Sequence, residues 1–220
     1  WTDRWSPRSN IGFTPRKWLA GAVVGNRLYA IGGDAGGPAL GSVEAYDLTL
    51  DAWAVLPGMP GGRWRAGLGG AALGTTIYVT AGNVVTPYLD MFDTSTITWQ
   101  PGPNGSKSRA CHVTAPQDGR IWVMGDDGTD NLPFEAYDPG TGTWKSYDDA
   151  RKLTVGSKTH GHGFFGGTWR DKILLAGGTM GGGDPSPYVD IYYPKGRTMR
   201  RTGDMNVSRG EGAILETEVG

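Results

Sequence analysis

One cysteine and three histidines leave a chain of 220 residues little material for cross-links or for a metal centre. Cys111 has no second cysteine to pair with, so no intrachain disulfide forms and no redox compartment is indicated. Excess charge is missing too. Twenty-one basic and 22 acidic residues give a net charge of −1 and a pI near 6.3, which supplies no general attraction to nucleic acid or to an anionic membrane. No apolar run approaches the roughly 20 residues of a membrane helix. Helix-length apolar stripes are scarce. No Gly-x-Ser-x-Gly elbow, phosphate-cradling Gly loop followed by Lys-Ser/Thr, or helical His pair of a metalloprotease occurs, so no catalytic residue, metal ligand or cofactor is expected. The chain opens Trp1-Thr2-Asp3-Arg4-Trp5, polar and without an initiator methionine, so a processed or excised piece is expected.

Glycine and aromatics are abundant. There are 38 Gly and 14 Pro, alongside nine Trp, nine Tyr and five Phe. So many aromatics at so small a net charge argue against disorder and for short strands joined by tight turns.

The order lies in a fourfold repeat. Four apolar runs end in small residues: Leu28-Tyr-Ala-Ile-Gly-Gly33, Ile77-Tyr-Val-Thr-Ala-Gly82, Ile121-Trp-Val-Met-Gly-Asp126 and Ile173-Leu-Leu-Ala-Gly-Gly178. Their starts are 49, 44 and 52 residues apart. Each is followed by an aromatic (Tyr46, Phe92, Tyr137, Tyr192) and, seven residues on, by a large apolar anchor (Trp53, Trp99, Trp144, Met199). A Gly-rich strand opened by a basic residue precedes each run: Arg16, Arg65, Arg109, Lys158. Four strands per unit at this period predict propeller blades.

Through its double glycine, its Tyr-Asp pairs (Tyr46-Asp47, Tyr137-Asp138) and the Trp seven residues beyond, the grammar resembles the Kelch repeat over nearly the whole chain. The resemblance implies an all-β Kelch-type β-propeller with blades at about 16–58, 62–103, 107–148 and 156–204. Ala81-Gly82, Gly125-Asp126 and Met199 depart from it and point to less regular third and fourth blades. Trp and Tyr of the repeat are assigned to packing between blades. Trp5 falls where an outer strand belongs, and Ser208-Arg209-Gly-Glu-Gly-Ala-Ile-Leu reads as an inner strand. A partial fifth blade shared by 1–13 and 208–220 is therefore expected, completed by an oligomer or a missing segment.

Loop lengths separate frame from recognition surface. The aromatic-to-anchor distance is constant, whereas the second-to-third-strand loops vary, and variable loops on a rigid frame are where recognition is expected. On that face Arg16, Arg65, Arg109, Lys158 and Arg209 would ring the channel mouth, suited to carboxylate or phosphate, with Asp34, Asp126 and Asp184 as the acids that would otherwise neutralise them. Arg63 and Trp64, in a Gly-flanked connection, add residue types enriched at binding hot spots. Trp169 offers a lesser contact surface on the opposite face. His160-Gly-His162, His112 and Cys111 are read as channel lining rather than metal ligands.

The expected function is non-catalytic recognition of a protein or peptide, acidic in the sharper reading, without nucleic acid or membrane insertion. A glycan-binding propeller is the alternative, as is the propeller part of a secreted oxidoreductase resembling galactose oxidase. The Tyr that such a copper site needs is not found in the strand matching Cys111. Two sequons, Asn104-Gly-Ser106 and Asn206-Val-Ser208, lean toward an extracellular or cell-surface protein.

Overall fold

The computed structural model describes residues 5–125, 134–147, 163–179 and 184–210. These fold into four antiparallel sheets of four strands each, consecutive in sequence. Blade 1 comprises β1 (Ala20–Val24), β2 (Arg27–Ile31), β3 (Val43–Asp47) and β4 (Ala52–Leu56). Blade 2 has β5 (Gly69–Leu73), β6 (Thr76–Thr80), β7 (Leu89–Asp93) and β8 (Thr98–Pro101). Blade 3 has β9 (Val113–Gln117), β10 (Arg120–Met124), β11 (Phe134–Asp138) and β12 (Thr143–Tyr147). Blade 4 has β13 (Phe164–Trp169), β14 (Lys172–Gly177), β15 (Val189–Tyr193) and β16 (Thr198–Arg201). The fold is an all-β propeller arrangement of four blades.

Turn chemistry sets each blade. In the third-to-fourth-strand turns, Asp47 Oδ1 accepts the N–H groups of Thr49 and Leu50, Asp93 those of Ser95 and Thr96, and Asp138 those of Gly140 and Thr141. Such side-chain capping of a turn is why Asp follows the aromatic. The bonds hold the Asp47 carboxyl below the ordinary carboxylate range, Leu50 N–H contributing most. Four residues beyond the capping position the backbone is left-handed in every blade, at Asp51, Ile97, Gly142 and Arg197.

The repeat's aromatic and its anchor are cross-strand partners: Tyr46 opposite Trp53, Phe92 opposite Trp99, Tyr137 opposite Trp144, Tyr192 opposite Met199. Rings of the first three pairs lie 5.2, 4.9 and 5.4 Å apart, within the range of favourable aromatic contact. Each anchoring indole also reaches the connection that precedes its blade. Trp53 Nε1 donates to the Ser9 carbonyl, Trp99 Nε1 to that of Pro57 and Trp144 Nε1 to that of Pro103, at 2.8–3.0 Å.

Three apolar layers lie between the four blades. Tyr29, Ile31 and Val43 of blade 1 pack on Ile77, Val79 and Phe92 of blade 2. Tyr78 and Leu89 of blade 2 meet Ile121 and Tyr137 of blade 3. Trp122, Met124 and Phe134 of blade 3 meet Ile173, Leu175 and Tyr192 of blade 4. Inner strands β1, β5, β9 and β13 pack side by side in that order, whereas β13 and β1 do not pack on each other in the same way. The described blades therefore form an arc with two open sides. Residues 5–13 form no strand; they lie along blade 1, with Phe13 stacked on Trp53 and the Ser9 N–H bonded to Asp51, and Trp5 is exposed. Among the described residues, 5–13 thus contribute no strand to a fifth blade, and residues 1–4 and 211 onward lie outside the described residues.

Packing in these layers sets the scale of stability. Trp122→Ala, in the buried layer between blades 3 and 4, should cost about 3–5 kcal/mol. Met199→Ala, half-buried at the margin of the same layer, should cost about 1–2 kcal/mol. Urea unfolding of both variants checks the ratio; equal losses would contradict the assignment of the margin to Met199.

Candidate functional site

Three of the basic residues that open the blades do not ring a channel mouth. Arg16, Arg65 and Arg109 turn inward, their side chains 0%, 0% and 1% exposed, and each meets a carboxylate on the third strand of its own blade. Arg16 pairs with Glu44, Arg65 Nη1 donates to Asp90 Oδ2 at 2.8 Å, and Arg109 Nη2 donates to Glu135 Oε2 at 2.7 Å. The acids are Glu44, Asp90 and Glu135 rather than Asp34 or Asp184. Asp34 instead caps its own loop through the N–H groups of Gly36 and Gly37, Asp184 is exposed, and Asp126 lies outside the described residues. In blade 4 the corresponding acid, Asp190, takes the guanidinium of Arg201 from the outer strand, at 2.9 Å. Lys158 lies outside the described residues, and Arg209 is exposed, its N–H bonded to the Ser186 carbonyl.

These pairs clamp the edge where inner strands begin. The second oxygen of Glu44 accepts the Thr14 N–H, and that of Glu135 accepts the Ser106 N–H. Blade 2 differs: the shorter Asp90 takes a second guanidinium, Arg63 Nη1 at 2.6 Å. Backbone bonds join neighbouring clamps. Gly33 N–H donates to the Arg65 carbonyl and Gly82 N–H to the Arg109 carbonyl. Gly82 must be glycine, with φ +120° and room for a Cβ only 2.9 Å from the Ala66 carbonyl. Burial lowers the Arg65 pKa, opposed mainly by Asp90.

The acids carried a signal in the chain that the residue pattern above did not use. Each stands two residues before the repeat's aromatic, at Glu44, Asp90, Glu135 and Asp190, as an acid inside an otherwise apolar strand.

What stays outside the clamps gathers on one corner. Trp64 is 57% exposed and lies against the backbone of Gly41, where an added Cβ would come within 2.1 Å of the indole. Beside it Arg63 is partly exposed, with its guanidinium 4.3 Å from the Tyr88 ring centroid. Lys17 Nζ sits 4.0 Å from the ring centroid of Trp18, itself 42% exposed, and the Trp18 carbonyl accepts the Gly67 N–H. On the opposite edge Trp169 is 39% exposed between Arg170 and Lys172. His160 and His162 lie outside the described residues, while His112 is buried and Cys111 is half-buried.

Two outcomes follow. Arg65→Ala leaves Asp90 without its buried partner and should cost about 3–5 kcal/mol, whereas Arg27→Ala, breaking an exposed pair with Asp47, should cost about 0–1 kcal/mol. Denaturant titration of both checks this. Burial, with lesser contributions from the Arg109 and Arg65 charges, pushes the His112 pKa down to about 3 from an ordinary 6.5. The unfolded chain therefore takes up a proton first, and stability present above pH 6.5 is lost as pH falls toward 3. In His112→Gln that acid slope should flatten between pH 6 and 4 by up to about 1.4 kcal/mol per pH unit.

The chain is similar to known proteins in the same terms. A family profile for the Kelch motif matches residues 16–60, which is blade 1 with the connection leaving it. Kelch-like protein 30 of Homo sapiens is 33% identical over 113 residues, 47% of this chain and 19% of that protein. F-box protein AFR of Arabidopsis thaliana is 29% identical over 58% of this chain and 35% of its own length, and Kelch-like protein 36 of Bos taurus is 27% identical over 71% and 26%. The chain thus spans well under half the length of these relatives. Among solved structures, that of YjhT superposes with a TM-score of 0.75 at 17% identity, covering 96% of this chain and 77% of that one, a likeness of fold. Blade 1 carries a Kelch motif, and blades 2 and 3 repeat its paired aromatics while blade 4 puts Met199 opposite Tyr192, so the chain has the fold of a Kelch-type propeller.

Proposed function

We propose that the chain is a non-catalytic recognition module that binds a protein or peptide, preferentially an acidic one, at the loop-face corner of Arg63, Trp64 and Tyr88. The observation that carries this reading is the charge balance at Asp90. Two guanidinium groups share one carboxylate there, leaving one positive charge in excess, and Arg63 is the partly exposed member. A guanidinium held 4.3 Å from the Tyr88 ring centroid and bonded to Asp90 is oriented before a ligand arrives, so little side-chain freedom is lost on binding. The exposed indole of Trp64 supplies apolar area next to it, the pairing of residue types most often found at binding hot spots. Kelch-like and F-box relatives support a protein-interaction role. Arg16, Arg65 and Arg109 contribute to this reading as the frame that fixes the loops. Exposed Arg209 remains a further basic contact on the same edge. The sides of blades 1 and 4 that face no other described blade are read as the seats of an oligomer contact.

A library of acidic and neutral peptides titrated against the chain tests the proposal. Trp64→Ala should weaken the best binder by about 2 kcal/mol with little salt dependence. Arg63→Ala should weaken it by about 1 kcal/mol, an effect that shrinks as salt screens the charge. Arg27→Ala, on the opposite edge, should leave binding unchanged. Acidic peptides that bind equally well to Arg63→Glu and Trp64→Ala would refute the site.

A further inference from the structure

At the edge away from the loop face, each blade ends in two hairpin tips, one between its first and second strands and one between its third and fourth. In blade 1 the tips and the residues flanking them carry Arg27, Asp47 and Asp51, in blade 2 Asp93, and in blade 3 Asp118, Arg120 and Asp138. Each of these blades therefore has one negative charge in excess at its tips. Blade 4 reverses the sign. Its tips carry Arg170, Lys172, Lys195 and Arg197 against the single acid Asp171, an excess of three positive charges. Part of the reversal comes from the turn-capping position, where Tyr193 replaces the Asp of the other blades.

Aromatic rings hold two of these cations in place. Lys172 Nζ lies 5.0 Å from the Trp169 ring centroid and 5.6 Å from that of Tyr193, and the Arg170 guanidinium lies 5.1 Å from that of Trp169. Such contacts orient a cation without neutralising it. The acids nearby do little to cancel the charge. Lys172 meets Asp171 at 3.6 Å and Lys195 meets Asp118 at 3.7 Å, long pairs at the surface.

Beside these tips runs β16, the outermost strand of blade 4, entered directly from Arg197. Among the described residues it pairs on one side only, with β15. Alternate N–H and C=O groups of such a strand point away from the sheet, a template for a further strand. Arg200, exposed within β16, continues the basic run from the tip along this edge, while Arg201 is engaged by Asp190. The outer strands of blades 1 and 2 contain no cation, and Lys145 in that of blade 3 stands beside tips of the opposite sign. Open edge and positive tips coincide in blade 4 alone among the described blades.

This coincidence selects the partner. A flat anionic surface pressed on the tips would also meet the acidic ends of blades 1–3, so the ligand must be narrow enough to stay on blade 4. A sulfated sugar chain or a nucleic acid can use the cations but cannot continue the ladder of β16. An extended polypeptide uses both, its backbone pairing with the edge and its alternate side chains reading the charge.

We infer that the basic corner of blade 4 is a docking edge for an acidic polypeptide segment, which adds as a strand along β16 and meets Lys195, Arg197 and Arg200 with its carboxylates. Arg170 and Lys172 add to the field that attracts it. This edge is separate from the Arg63–Trp64 corner and stands if that corner binds nothing.

The test titrates the 220-residue chain with an acetylated octapeptide of alternating Glu and Val. The same peptide N-methylated at alternate residues, its Lys-Val counterpart and a heparin hexasaccharide serve as comparators. Binding is read by calorimetry and by the backbone amide resonances of residues 195–201, with those of 62–64 reporting the other corner separately. The Glu-Val peptide should bind and shift the 195–201 resonances. N-methylation, which keeps the charge and removes the strand edge, should weaken this binding tenfold or more, as should exchange of Glu for Lys. Lys195→Glu combined with Arg200→Glu should do the same, and Arg200→Gln, expected to weaken binding severalfold, supplies the reading if the double variant fails to fold. Resonances of 195–201 that the Glu-Val peptide leaves unmoved would overturn the inference, whatever happens at 62–64. Equal binding of the N-methylated peptide at 195–201, or tighter binding of heparin there, would overturn it too, marking a general anion patch.

Discussion

Everything on the loop face hangs on a guanidinium drawn out of water. Arg16, Arg65 and Arg109 each begin a blade and each is buried against a carboxylate on that blade's third strand. Taking two charges out of water is expensive, and the pair compensates only when its geometry is good and its remaining atoms are bonded. Here they are bonded. Glu44 and Glu135 also receive a backbone N–H, and the backbone of Arg65 is held by Gly33 of the preceding blade. The first and third strands are not hydrogen-bonded neighbours in the sheet, so the ion pair ties together what the ladder does not. It also fixes where the connections between blades enter, and with them the position of Trp64.

Blade 2 shows how one residue changes what such a clamp can do. Glu44 and Glu135 are long enough to reach a backbone N–H, but Asp90 is one methylene shorter and takes Arg63 instead. The structural pair thereby acquires a partly exposed cation over the Tyr88 ring. The same frame that is neutral in its neighbours carries a surplus charge at this blade.

Much of the frame was legible in the sequence. The seven-residue spacing from Tyr46 to Trp53 and from Phe92 to Trp99 is the distance between cross-strand partners around a four-residue turn, so it reported register directly. Alternating burial and the glycines at strand ends supplied the rest. The destination of the arginines was not legible in the same way. Arg65 and Asp90 stand 25 residues apart and Arg16 and Glu44 stand 28, too far for local geometry to pair them. A basic residue at a strand entrance looks alike whether it faces solvent or turns beneath a loop. Only the acid two positions before each aromatic distinguishes these cases, since a carboxylate on a buried strand position requires a cation.

The indole bonds have a direction along the chain, and direction matters for a protein that emerges from the ribosome N-terminus first. Trp53, Trp99 and Trp144 all reach back to a carbonyl already synthesised, at Ser9, Pro57 and Pro103. A blade can therefore fasten its outer strand as soon as that strand is made, without waiting for the next blade. The bonds from Gly33 and Gly82 run the other way, to Arg65 and Arg109 of the blade still to come. Outer edges thus close early and inner edges late, so the nascent arc is pinned at its rim while its axis remains adjustable until the following arginine arrives.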